Sequence, residues 1–348
     1  MSAEAIAETL PGCGAEAART RKILRFSIGV TLTMALATAI AWPVSFLSAV
    51  LIGLLLSSPT PLSLRTGFAF VAVVAIAMAL SVVLAAVLVP HPLVFLAITG
   101  LLLFRIFHAA SGGGNPLAVL WMIIGLLLVP LLMMSAPVAG LLIGVWITFG
   151  AMVAVGLALL VQALIPEPPT VPDGPASAPV GGAPDPATRF RAAAISTLAI
   201  MPLMVVFYVF QLTQHIVVLI FAAILAITAN STTGSKMGVG LLVANIGGGV
   251  LTLVIYNLLV AAPDLQFFVA LMFLTALLVA QQRFSDKPNA SLYGSALNTV
   301  IIVIGSVTTS TAEADTKVYL RLIQIGLAVV YIVAAVGLLE ALWPQRAD

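Results

Sequence analysis

Apolar residues run through this chain in long blocks, separated by short clusters of polar residues, glycine and proline. Blocks of roughly 20 residues match the length of helix needed to cross a bilayer. The pattern predicts helices near 24–42, 44–58, 66–90, 92–107, 116–134 and 137–164. It then stops at Pro166–Pro186, PEPPTVPDGPASAPVGGAPDP, where eight prolines forbid a helix and little apolar surface remains to pack. A second set of blocks follows near 190–210, 214–229, 237–261, 264–281, 294–311 and 317–343.

Composition agrees with that pattern. Of 348 residues, 62% are hydrophobic and 7% are charged, against about 25% charged in a soluble domain. With a mean hydropathy of +1.21, the surface of this chain is expected to face lipid. A net charge of +2 without a clustered basic face excludes nucleic-acid binding. The single cysteine, Cys13, allows no internal disulfide and is expected as a free thiol on a cytoplasmic tail. Glu4, Glu8 and Glu16 precede Arg19, Arg21 and Lys22, an acidic start unlike the basic opening of a signal peptide, so the tail is expected to be retained.

Lys and Arg should collect at alternate loops on the cytoplasmic side. With the N-terminus inside, Arg19, Arg21, Lys22, Arg25, Arg65, Arg105, Arg189, Arg191, Lys236, Arg283, Lys287 and Arg346 all fall there, leaving only Lys317 and Arg321 outside. The expected fold is an all-α integral membrane protein of about 12 transmembrane helices, built as two parallel six-helix repeats. Its parts are a cytoplasmic tail 1–23, a first repeat 24–165, a Pro-rich cytoplasmic linker 166–188, a second repeat 189–343 and a cytoplasmic end 344–348. Local likenesses support the duplication: Leu160–Pro168 reads LVQALIPEP and Leu338–Arg346 reads LLEALWPQR. An even number of spans per half makes the repeats parallel, related by an axis along the membrane normal, with a pathway at their seam.

Candidate site residues follow from the same comparison. The second span of each half, Pro43–Ser58 and Gln214–Ala229, is only about 16 residues, roughly 24 Å of helix against about 30 Å of hydrocarbon. Short spans at matching positions point either to a binding site or to tilt and a thinned bilayer. Asn230 to Lys236 then forms a polar, cation-bearing turn suited to an anion. In the eleventh span Ser295, Asn298, Thr299, Ser306 and Thr309 share one helix face beside Gly305, which serves either as pathway lining or as interhelical glue. Arg65, Arg105, Lys236 and Arg283 close the cytoplasmic ends of spans, either as ordinary snorkelling cations or as a vestibule that concentrates anions. Glu340 is the acid set deepest in a span, read as a proton carrier or as a solvated helix end. Gly240, Ala244, Gly248 and Thr252, and separately Gly140 and Gly144, are small-residue seams for close helix contact.

Other chemistries find no residues. Thr233-Gly234-Ser235-Lys236 lacks the spacing and the preceding strand of a phosphate loop. His91, His108 and His215 lie at span ends without ligand spacing, and Gly294-Ser295 has no histidine on a facing span at its depth. No enzymatic activity, metal or cofactor is expected.

Two halves that each open with a membrane-entering Arg (Leu24-Arg25-Phe26, Phe190-Arg191-Ala192), carry a short second span and enter the third through a basic-x-Gly (Arg65-Thr66-Gly67, Lys236-Met237-Gly238) resemble the fusaric-acid-resistance and aromatic-acid-exporter proteins. The chain looks like a compact branch without the sizeable cytoplasmic domains of many members. The resemblance implies a bacterial inner-membrane exporter of aromatic carboxylic acids and other toxic organic compounds, working with a periplasmic adaptor of the membrane-fusion type. The expected activity is export of an organic anion or amphipathic compound by alternating access, with an uncoupled anion channel or a non-transporting membrane subunit as rivals. The lipid bilayer and a homo-oligomer complete the expected partners.

Overall fold

In a computed structural model the described residues are 11–58, 61–114, 116–166, 185–213, 234–285 and 290–308, with isolated positions in 218–222, at 287 and 289, and in 323–343. Among them the regular structure is helical, with no strand. The helices are α1 Pro11–Ile40, α2 Phe46–Leu56, α3 Leu64–Leu88, α4 Pro92–Ser111, α5 Pro116–Ser135, α6 Pro137–Leu164, α7 Pro186–Val209, α8 Gly234–Ala261, α9 Leu265–Arg283 and α10 Ala290–Thr308. The predicted runs 214–229 and 317–343 lie largely outside the described residues.

Eight helices among the described residues are long and apolar enough to cross a bilayer. In the most apolar stretch of α3 only 28% of the residues are buried. Phe68, Ile76, Val83 and Val87 stand exposed along it, a surface that only lipid or another apolar partner satisfies. The chain is therefore a multi-pass, all-helical membrane protein.

α2 behaves differently. Ten of its eleven residues are buried, although its length covers roughly 16 Å, about half a hydrocarbon core. It is separated from α1 by Ala41-Trp42-Pro43-Val44-Ser45, in which Ala41 and Val44 both adopt left-handed backbone (φ 54° and 52°). That conformation crowds Cβ against the following carbonyl and is a marked outlier for β-branched Val44. Pro43 withholds an amide donor and keeps Trp42 away from helical geometry, so the chain turns here rather than continuing.

The described residues form two compact units. One comprises Met1–Phe68, Gly150–Ala178 and Gly248–Thr309; the other comprises Ala69–Phe149, Pro179–Gly247 and Ser310–Asp348. Residues of α3, α6 and α8 are divided between them.

In the first unit α1 packs on α2 and α9, and α10 packs on all three. Gly29 of α1 receives Leu56 and Ile52, and Gly53 of α2 receives Phe26 and Val30. The small-residue seam read on α8 is used here too: Gly248 lets the backbone at Ala296 and the side chain of Thr299 approach.

In the second unit α4 packs on α7 and α5, and α5 also touches α7. The α4–α7 pair is antiparallel from end to end. Phe95 stacks on Tyr208 (centroids 4.6 Å apart), Gly100 meets Met201, and Phe104 meets Phe190 edge-on at 5.1 Å. Gly140 and Gly144 of α6 pack against Met133 and against Met78 and Val82, as close-contact glycines should.

Candidate functional site

The basic end of the first unit gathers the N-terminal turns of α1 and the C-terminal turn of α9. Arg19 donates from Nη2 to the carbonyl oxygen of Gln281 at 3.1 Å, and about two turns further along α1 Arg25 and Phe26 are buried, at 6% and 2% exposure. α9 closes on Arg283, a position where a cation meets the negative end of the helix dipole, and the backbone N–H of Phe284 caps it on Ala280 and Gln282.

The Arg283 guanidinium lies over the ring of Phe26, 5.6 Å from its centroid. Phe284 meets the same ring edge-on at 5.7 Å. A second side of the guanidinium is closed by Gly294 in the second turn of α10: a methyl group there would overlap Nη1 of Arg283. The guanidinium is thus set between an aromatic ring and bare backbone. Among the described residues no carboxylate or other hydrogen-bond acceptor engages it. Arg25, by contrast, has contacts of its own.

Along α10 from this point, Ser295 and Asn298 are half-buried, whereas Thr299 and Ser306 are buried. The two buried hydroxyls donate within their own helix, Thr299 to the Ser295 carbonyl at 3.1 Å and Ser306 to the Val303 carbonyl at 2.9 Å. Their donors are already used, which suits packing positions as well as it suits a wall.

At the α1–α2 junction Trp42, Ser45 and Ser48 are almost wholly enclosed, and Gly150 of α6 gives the room for Trp42 and Ser48. Among the described residues the hydroxyls of Ser45 and, on α1, Thr31 have no hydrogen-bond partner. Buried polar atoms normally find one.

The second unit has its own basic end. Arg189 lies against Gly112, and its carbonyl oxygen accepts from the Ser111 hydroxyl at 3.4 Å; Arg191 donates from Nε to the Trp343 carbonyl at 2.6 Å. Gln211, just past α7, again has left-handed backbone (φ 50°). Tyr208 Oη and Thr99 Oγ1 are buried without partners among the described residues.

Of the residues singled out by sequence, Arg283 and the first turns of α10 carrying Ser295 come together. Arg65 stands exposed at the start of α3, and Arg105 stands exposed near the end of α4. Asn230, Thr309 and Glu340 lie outside the described residues; Lys236 falls within α8, but its side chain does not belong to them. Phe26, Phe284 and Gly294 were not singled out as ligand-facing, nor were Thr31 and Ser45. The sequence signal available for the first group is aromatic residues flanking the basic ends of two spans, with a glycine just inside a third.

The family described as "Protein of unknown function (DUF2955)" matches residues 22–162, from within α1 to near the end of α6. No curated protein and no solved structure matches the chain.

Proposed function

We propose that this chain is a bacterial inner-membrane permease that exports organic anions, aromatic carboxylates and amphipathic toxic compounds among them, by alternating access between two six-helix repeats. The observation that carries the reading is the recurrence of one packing scheme. Counted along twelve spans, α1 and α9 are the first of one half and the fourth of the other. α7 and α4 are the same pair with the halves exchanged, and each pair sets the N-terminal end of the first-type helix beside the C-terminal end of the fourth-type helix. The fifth-type helices α10 and α5 pack on both members of their respective pairs. Left-handed residues follow α1 and α7 alike. Duplicated carriers of this kind bind solutes where discontinuous helices leave backbone and polar groups inside the membrane, and buried α2 with its strained junction is such a helix. The family match, which spans nearly the first six helices, supports six helices as the unit.

On this reading both termini are cytoplasmic, the basic helix ends collect anions from the cytoplasm, and a periplasmic adaptor receives the exported compound. Efflux of aromatic acids and dyes from a strain lacking the gene, against the same strain carrying it, tests the proposal with and without an uncoupler. Efflux that depends on the gene and stops with the uncoupler supports it. Gene-dependent flux that ignores the uncoupler favours an uncoupled anion channel. Equal compound tolerance in both strains contradicts it.

A further inference from the structure

The guanidinium of Arg283 has one face on the Phe26 ring and is closed on another side by the backbone at Gly294. A guanidinium held in this way offers its edge, and that edge is the geometry that takes two oxygens of one oxyanion in parallel hydrogen bonds. Stacking on an aromatic ring supplies none of the acceptors that its N–H groups require. Hydrogen bonds to charged groups are stronger than neutral ones, and leaving such donors unmet away from bulk water is costly. The ring that carries the guanidinium also meets Phe284 edge-on, so the surroundings of the site are apolar and suit an oxyanion attached to an apolar body rather than a bare inorganic ion. The nearest acid in sequence, Asp286, is outside the described residues.

We propose that Arg283, seated between Phe26 and Gly294, is an oxyanion-binding site for an amphipathic acid. Gly294 makes the site by leaving room for the guanidinium, and Phe26 orients it. Two sources carry this chemistry, a small organic acid and the phosphate of an anionic lipid. The inference names a binding residue for the permease reading and rests on that reading for its role in transport, but anion binding at Arg283 stands or falls separately.

The test uses the full-length protein in nanodiscs of phosphatidylcholine, with Phe26→Trp as a local fluorescent reporter and benzoate as the ligand. Saturable quenching is expected, together with direct benzoate binding to the unsubstituted protein in equilibrium dialysis. Arg283→Gln should weaken binding by about tenfold or more, and Arg283→Lys, which keeps the charge and loses the fork, by about fivefold. Gly294→Ala should weaken it comparably while the protein stays folded by thermal melting. Lys287→Ala, which removes a neighbouring exposed charge, should change it by less than about twofold. Nanodiscs containing phosphatidylglycerol separate the sources: competition with benzoate there, lost in Arg283→Gln, assigns the site to lipid phosphate as well. Benzoate binding that is unchanged in both Arg283→Gln and Gly294→Ala overturns the proposal. So does binding that appears only in Asp286→Asn, which would make the occupant an internal carboxylate. Loss of binding in these variants with no transport by the unsubstituted protein keeps the site and removes the permease reading.

Discussion

Arg19 reaches across to the carbonyl oxygen of Gln281, 262 residues away in sequence, and so ties α1 to the last turn of α9. In the second unit the Ser111 hydroxyl donates to the Arg189 carbonyl oxygen at 3.4 Å and joins the end of α4 to the start of α7. Each compact unit is therefore assembled from helices on both sides of the Pro-rich segment.

Cross-linking checks this arrangement. In a Cys13→Ser background, the pairs Arg19→Cys with Gln281→Cys and Ser111→Cys with Arg189→Cys should both be joined by a short bis-maleimide in native membranes. Protease cleavage engineered into the 166–188 segment should then leave the halves linked on a denaturing gel. Halves that separate after cleavage in both pairs would show that they pack independently.

Gly305 on α10 lies directly against Phe46, the first residue of α2. A larger side chain there must push α2 aside in a close-packed region, at a cost of about 1–3 kcal/mol. Gly305→Val should lower the melting temperature in detergent and reduce membrane yield, whereas the same change at Gly247, where nothing approaches, should be tolerated. Equal stability of the two variants would remove α10 from its place against α2.

How much of this was legible beforehand divides along physical lines. Hydropathy fixes where helices exist, because apolar runs and their polar or Gly/Pro punctuation are local signals. The predicted runs and the observed helices agree from α1 to α10 within several residues at most ends. The differences are local too: α4 continues to Ser111, until Gly112-Gly113-Gly114 stops it, and α1 extends outward from its apolar block to Pro11. Partner choice is not local. An apolar helix face carries little information about which other apolar face it meets, so the make-up of each unit from separate stretches of chain could not be read from periodicity. The same limit applies to the Arg283 site. Phe26, Arg283 and Gly294 sit on three helices, and each alone looks ordinary: a core aromatic, a snorkelling cation, a small residue.

The left-handed residues at the two junctions should respond alike. Ala41 is exposed with φ 54° and Gln211 is exposed with φ 50°, and glycine relieves that crowding without removing buried side-chain contacts. Ala41→Gly and Gln211→Gly should each raise stability by about 1 kcal/mol in thermal melts. A loss of stability in either would mean that the junction is not held left-handed in the membrane.

Within α10 the hydroxyls of Thr299 and Ser306 are already bonded inside the helix, while Asn298 is half-buried on the same stripe. Asn298→Leu should therefore reduce efflux several-fold, and Thr299→Val and Ser306→Ala should leave it within about twofold of the unsubstituted protein, each losing a hydrogen bond of about 1 kcal/mol. If Ser306→Ala instead abolishes efflux with the melting temperature unchanged, the buried hydroxyls themselves meet the solute.

The central claim is that this chain carries organic anions across a bilayer. Purified full-length protein in liposomes of defined lipid, assayed for flux of benzenesulfonate, tests it most directly, because this anion stays charged and crosses bare lipid slowly. Saturable flux above protein-free liposomes, reduced at least about tenfold by Arg283→Gln, is the predicted result. Flux no greater than that of empty liposomes, from protein shown to be folded and inserted, would contradict it.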